Sequence, residues 1–285
     1  MSQNVARYPV PRVRRAAASF AAGWNRIGDQ TAFYVKSIVS CRDAVLYYKG
    51  EIARLIAQMS LGVGALAVIG GTVVIIILLT GSVGGLVAIQ GYTSLGSIGV
   101  EALTGFFSAY VQVRFSTPAI AAIGLAVTVG AGATAQLGAM RINEEIDALE
   151  TMGVPSVPFL VTTRMVAALL VLPLMYVLAL ATSFFASWVV QRYQIGLVSN
   201  GVYFSYFWRF TNLTDFGYSL IKAVIFAFLV ICVGVYYGYH VKGGAVGIGR
   251  AVAKTMAISL VMIVVVNAIL TQIFWGTNPN LPIPS

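Results

Sequence analysis

Five stretches of the chain carry no charged residue: 55–100, 115–140, 165–191, 223–239 and 255–285. Their apolar positions run continuously instead of alternating, which argues for helices and against a membrane β-barrel. A helix crosses the hydrocarbon with roughly 20 apolar residues. The pattern therefore predicts an all-α integral membrane protein with five spans, at about 57–80, 113–139, 158–190, 216–239 and 256–275. The first stretch is long enough for two crossings, so six spans is the alternative. With five, residues 81–112 form an outer segment, partly re-entrant or a helical extension.

Composition agrees with this reading. Of 285 residues, 59% are hydrophobic and 9% are charged. Soluble domains carry about 25% charged residues. Charge placement sets the orientation. Residues 1–54 hold nine of the eighteen Lys and Arg, and residues 239–254 add Lys242, Arg250 and Lys254 without an acid. Both should be cytoplasmic, which puts the uncharged C-terminal "GTNPNLPIPS" outside a multi-pass inner membrane protein. The first apolar run lies too far from Met1 to be a signal peptide.

The basic arm 1–54 precedes a membrane domain at 55–285. Within the arm, Phe20, Trp24, Ile27, Phe33, Tyr34 and Ile38 alternate with Arg and Lys. This reads as an amphipathic helix in the headgroup layer, a solvated arm being the alternative. No nucleic-acid motif accompanies the basic charge. His240 is the only histidine, and Cys41 and Cys232 fall in different settings, so no metal site, disulfide or cofactor is expected. The "GGAVGIG" at 243–249 lacks the Lys and Ser/Thr of a phosphate loop. The chain should hold no ATPase of its own.

Against this background "RINEEIDALETMG" (141–153) stands out: Glu144, Glu145, Asp147 and Glu150 are four of only nine acids. As a helix, 141–153 gathers Ile142, Ile146 and Leu149 on one apolar face and puts the acids elsewhere. Gly153 and Pro155 stop it. A solvated loop helix and a docking helix for a cytoplasmic partner both fit. A catalytic carboxylate pair does not, for want of a pocket or a neighbouring nucleophile. Asp215 and Lys222 lie seven apart, on roughly one helix face. Snorkelling of Lys222 to the outer headgroups and direct contact with a lipid headgroup are the two readings. Glycine is abundant, 29 residues, often three or four apart inside apolar runs, which suits close helix packing and association with other chains.

"EEIDALETMGVPSVPFLVTTRMVA" resembles the signature of the MlaE/YrbE permeases through Glu144, Glu145, Asp147, Ala148, Leu149, Met152, Gly153, Pro155 and Arg164. "LVAIQGY" (86–92) is similar to the outer end of that family's first span, and the glycines at 238–249 are similar to its fourth-to-fifth-span region. The basic arm and glycine content look most like the YrbE proteins of mycobacterial Mce systems. The chain departs from the pattern at Phe115 and Gln136, where Glu is usual, and at Thr128, where Arg is usual. These losses leave a buried ion pair without support and suggest one half of a heterodimer.

The resemblance implies a permease subunit of an ABC-type lipid transporter, not an enzyme. Its partners would be a separate ATPase subunit, a second and paralogous permease, MCE-domain proteins and lipids, with no nucleic acid. Import across the envelope would be the direction. Ile142, Glu144, Glu145, Ile146, Asp147, Leu149, Met152 and Gly153 would couple the ATPase to the spans. The alternative is a membrane scaffold that anchors a partner complex without transporting.

Overall fold

Lipid tails are as apolar as Leu, so apolar helices associate in a membrane only where small residues let backbones meet or polar groups bond across. The computed structural model describes residues 28, 30–61, 71–196 and 198–276, and it is built on both devices. In chain order the elements are α1 (Cys41–Tyr47), α2 (Lys49–Leu61), α3 (Gly71–Gly96), α4 (Glu101–Ile142), α5 (Glu145–Thr151), α6 (Val157–Ile195), α7 (Asn200–Arg209), α8 (Leu213–Tyr239) and α9 (Gly244–Trp275). Residues 30–39 are also helical. No strand occurs among the described residues. Five helices, α3, α4, α6, α8 and α9, are long and apolar enough to cross a membrane.

The close approaches are visible at glycine. A side chain on Gly84 of α3 would meet the Ser183 carbonyl of α6 at 2.3 Å, and one on Gly234 of α8 would meet the Gly130 carbonyl of α4 at 2.8 Å. Polar bonds complete the seam. The Thr134 hydroxyl of α4 lies 2.9 Å from the Gly234 carbonyl of α8 and 2.9 Å from Thr255 Oγ1 of α9.

The long helices are not regular. π turns interrupt α4 at Gln112–Ser116 and Ala126–Gly130, and α6 at Val157–Thr162 and Val190–Ile195, and Pro173 sits inside α6. Such bulges change which side chains face inward and recur at functional positions. The 42 residues of α4 would extend roughly 63 Å at 1.5 Å each, about twice the hydrocarbon thickness. Its first turns therefore reach the far end of the bundle, where Ala109 packs with Tyr203 and Phe207 of α7.

Several predicted boundaries move. Among the described residues the first helix long and apolar enough to cross is Gly71–Gly96, where 57–80 was expected, and the second is Glu101–Ile142, where 113–139 was expected. Residues 81–112 are no separate outer segment, since α3 and α4 share them. The reason is that the first charge-free stretch exceeds one crossing, and charge alone does not say which half spans. Among the described residues the long apolar helix lies in the later half, Gly71–Gly96, which contains the resemblance at 86–92. The third, fourth and fifth spans, Val157–Ile195, Leu213–Tyr239 and Gly244–Trp275, contain the predicted ones and exceed them.

Phe20, Trp24 and Ile27 of the predicted interfacial helix lie outside the described residues. Phe33 is not a lipid anchor: it is buried against Tyr236, Tyr239 and His240 at the end of α8. Burial also raises the Tyr34 hydroxyl pKa above its ordinary value, with Cys232 adding to the shift. Val35, Ile38, Val39 and Tyr47 remain exposed on the other side of this stretch. One end of the bundle thus gathers residues 30–61, α5 and the α8–α9 turn. The other end holds α7 and the α3–α4 turn.

Candidate functional site

The acidic segment is two pieces, not one helix. α4 ends at Ile142, and Glu144 adopts a left-handed backbone (φ 58°), the one non-glycine residue with positive φ among the described residues. That conformation costs an L-residue about 1–2 kcal/mol, so the reversal is held by its surroundings. α5 then runs only from Glu145 to Thr151. Gly153 (φ 79°) closes it, with the Val154 amide donating to the Leu149 carbonyl at 3.0 Å, as a Schellman cap requires. Ile142 therefore belongs to α4, not to the short helix.

The apolar face points inward. Ile146 is 0% exposed and sits in the main core with Leu137, Val157 and Leu160, and the half-buried Leu149 packs against the same core. Of the predicted Ile142/Ile146/Leu149 ridge, Ile146 is taken up by the chain's own core, while Ile142 and Leu149 are only partly buried. The reason is local: the left-handed turn at Glu144 folds α5 back under the spans, which turns its apolar edge toward them. Left outward are Glu144, Glu145, Asp147, Ala148, Thr151 and Met152, the last 69% exposed.

Polar bonds then tie α5 to α4 directly and to α8 through Ser156. Arg141 of α4 donates to Asp147 at 2.7 Å. At the other end the Ser156 hydroxyl donates to Glu150 and lies 2.9 Å from the Tyr239 hydroxyl of α8, just before α6 begins.

Asp215 and Lys222 are brought together, but not at a headgroup. Arg114 of α4 donates to Asp215 at 2.9 Å, with the two side chains 4% and 6% exposed. The Trp275 indole donates to the other Asp215 oxygen at 2.7 Å. Lys222 is 0% exposed and donates to the Arg114 carbonyl at 2.8 Å and to Thr271 at 2.9 Å. It does not snorkel. The pair Arg114–Asp215 is also a buried ion pair that the departures at Phe115, Thr128 and Gln136 had left without support. Two cations face one acid here. Ring faces supply part of the balance: Arg114 Cζ lies 4.4 Å from the Tyr110 centroid, and Lys222 Nζ lies 5.4 Å from that of Trp275.

The π turn at Gln112–Ser116 is what aims Arg114 inward and frees backbone carbonyls for side-chain donors. Its Val113 carbonyl accepts from Ser219 at 2.5 Å, and Ser219 in turn accepts from the Tyr176 hydroxyl. Sequence reasoning missed Arg114, Thr271 and Trp275 as members of this cluster. The available signal was that Arg114 and Lys222 interrupt apolar runs, where a charge inside a membrane calls for a partner.

Comparison with known proteins bears on both features. A model of the family described as Permease MlaE matches residues 63–273. A probable ABC transporter permease protein of Rickettsia bellii is 27% identical over 249 residues, covering 87% of this chain and 92% of the relative. The intermembrane phospholipid transport system permease protein MlaE of Haemophilus influenzae is 28% identical over 217 residues, covering 74% and 81%. The chloroplastic protein TRIGALACTOSYLDIACYLGLYCEROL 1 of Arabidopsis thaliana is 26% identical over 189 residues, covering 65% and 53%.

Proposed function

Because the chain belongs to the MlaE permease family, it is a multi-pass membrane subunit of an ABC transporter and not an enzyme, and we propose that it moves phospholipid-like lipids through the cell envelope. The family implies a separate ATPase subunit. The substrate class comes from the phospholipid named for the Haemophilus relative. The residues support it, since the five long helices among the described residues are strongly apolar.

The observation that carries the mechanism is the two-sidedness of α5. Its apolar side is fixed in the core at Ile146, Asp147 is paired with Arg141 of α4, Glu150 is linked through Ser156 to Tyr239 of α8, and its acidic side is exposed. In the proposed cycle the ATPase grips Glu144, Glu145, Asp147 and Met152. Closure of the ATPase pair on ATP displaces α5, and the attached spans rearrange around the lipid. Arg42, Lys49, Arg54, Lys242, Arg250 and Lys254 lie at the α5 end, which supports a cytoplasmic α5 and N-terminus in the inner membrane, with the C-terminus outside.

The finer assignments are part of the same reading. Residues 1–54 serve as a basic, membrane-surface arm and 55–285 as the permease domain. A paralogous second permease completes a heterodimer, MCE-domain proteins carry the lipid onward, and transport is import, as the likeness to YrbE of mycobacterial Mce systems implies. Alanine replacement of Glu144, Glu145 and Asp147 tests the core of it. We expect an assembled complex whose lipid transfer and lipid-stimulated ATP hydrolysis are both lost. Loss of assembly alone would favour the scaffold reading.

A further inference from the structure

A cavity of about 270 Å³ lies between α2, α3, α4 and α6, distinct from the Arg114–Asp215–Lys222 cluster. Leu55, Met59, Val129 and Ala133 give it mainly apolar walls. Its polar edge is made by Arg164, Gln136, Thr128, Gln58 and Thr72. Arg164 is 4% exposed, and one guanidinium nitrogen donates to the Leu160 carbonyl at 2.7 Å, but its Nε–H has no acceptor among the described residues. The ion pairs among the described residues, Arg54–Glu51, Arg114–Asp215 and Arg141–Asp147, leave Arg164 out: Glu51 acts on it through space, but makes its contact pair with Arg54. A guanidinium stays protonated under all ordinary conditions, so burial cannot be relieved by neutralisation. A buried cation with a vacant donor at the edge of an apolar cavity calls for an anion that carries its own apolar tail.

We propose that this cavity binds the anionic head and first tail carbons of an amphiphile, a carboxylate or a phosphate oxygen taking the Nε–H of Arg164. Arg164 lies seven residues into α6, roughly 10 Å from its α5 end at 1.5 Å per residue. The ligand would therefore enter from the leaflet on the α5 side. At 270 Å³ the cavity is at the small end for ligand sites, so it holds a head and not a whole lipid. Gln136 is the complementary feature: an amide at this wall leaves the cation open, where a carboxylate would close it from within the chain. As the site of an early step in lipid capture, the proposal rests on the transport reading above.

The assembled transporter in nanodiscs is photolabelled with palmitic acid carrying a diazirine near the carboxyl end, with its methyl ester, and with a phosphatidic acid bearing the same group. Labelled peptides are located by mass spectrometry. The acid or the phosphatidic acid should label residues 55–59 and 129–133, and the ester should label them about tenfold less or weaker, as loss of a charge-assisted hydrogen bond predicts. Whichever of the two anions labels identifies the head. Arg164→Gln should lower labelling about tenfold, Arg164→Lys should restore part of it, and Gln136→Glu should lower it while leaving the cation in place. Excess inorganic phosphate should not displace the acid.

Equal labelling by acid and ester, unchanged labelling in Gln136→Glu, or displacement by phosphate would overturn the proposal. Phospholipid transfer by the same complex is followed in parallel. Transfer without cavity labelling removes this site and leaves the transport reading standing. Labelling in a complex that hydrolyses ATP but transfers nothing removes the transport reading and leaves the site.

Discussion

α5 and the cluster around Asp215 both concentrate charge, and they handle it in opposite ways. On α5, Glu144, Glu145 and Asp147 stand exposed, and the ion pair Arg141–Asp147 is about half exposed at both partners. Around Asp215 every charge is buried and each donor has an oxygen or a ring face to meet. Exposed carboxylates add little to stability, so their concentration needs another reason, and contact with a second polypeptide supplies one. Buried charges are tolerated only when paired, so the cluster joins α4, α8 and α9 as a fixed point. In the proposed cycle one region is touched by the ATPase and the other holds still while the first moves.

Substitutions should separate the two. The largest effect is expected at Asp215→Ala, which strands Arg114 and Lys222 and should cost about 3–5 kcal/mol in thermal unfolding of the purified protein. Replacing Arg114 and Asp215 together by Leu should recover most of that loss. If the single and double variants were equally unstable, the pair would not be what matters there. Next in size is Ile146→Ala, about 2–5 kcal/mol from the vacated core volume. Its signature should be faster amide exchange at residues 145–151, with the far cluster unaffected. Smallest for stability is Asp147→Asn, below about 1 kcal/mol, because the pair with Arg141 is solvated. That variant should nonetheless reduce lipid transfer, and normal transfer would remove Asp147 from the coupling surface.

How much of this could be read from the chain differs between the regions. The five spans follow from uncharged length, a one-dimensional property that lipid enforces directly. The end of α5 was legible because Gly153 and Pro155 have local conformational meaning. The direction α5 faces was not. It depends on a left-handed Glu144, which no side-chain preference announces, and that single turn sends Ile146 into the core instead of toward a partner. Asp215 and Lys222 were visible as charges at helical spacing, but their partners Arg114, Thr271 and Trp275 are remote in sequence. The π turn that aims Arg114 inward leaves no periodic trace in an apolar run. Arg164 was noticed for its likeness to a motif. The cavity beside it, and the donor it leaves vacant, exist only once α2, α3, α4 and α6 are packed.

The central claim is that the acidic side of α5 is the contact for the ATPase. A photo-crosslinking benzoylphenylalanine placed at Ala148, on the exposed side, and separately at Ile146, on the buried side, tests it in the intact complex in native membranes. The account predicts an ATP-sensitive crosslink from position 148 to the ATPase subunit and only intrachain products from position 146. Crosslinks from position 148 confined to lipid or to this chain, in a complex that still transports, would contradict it.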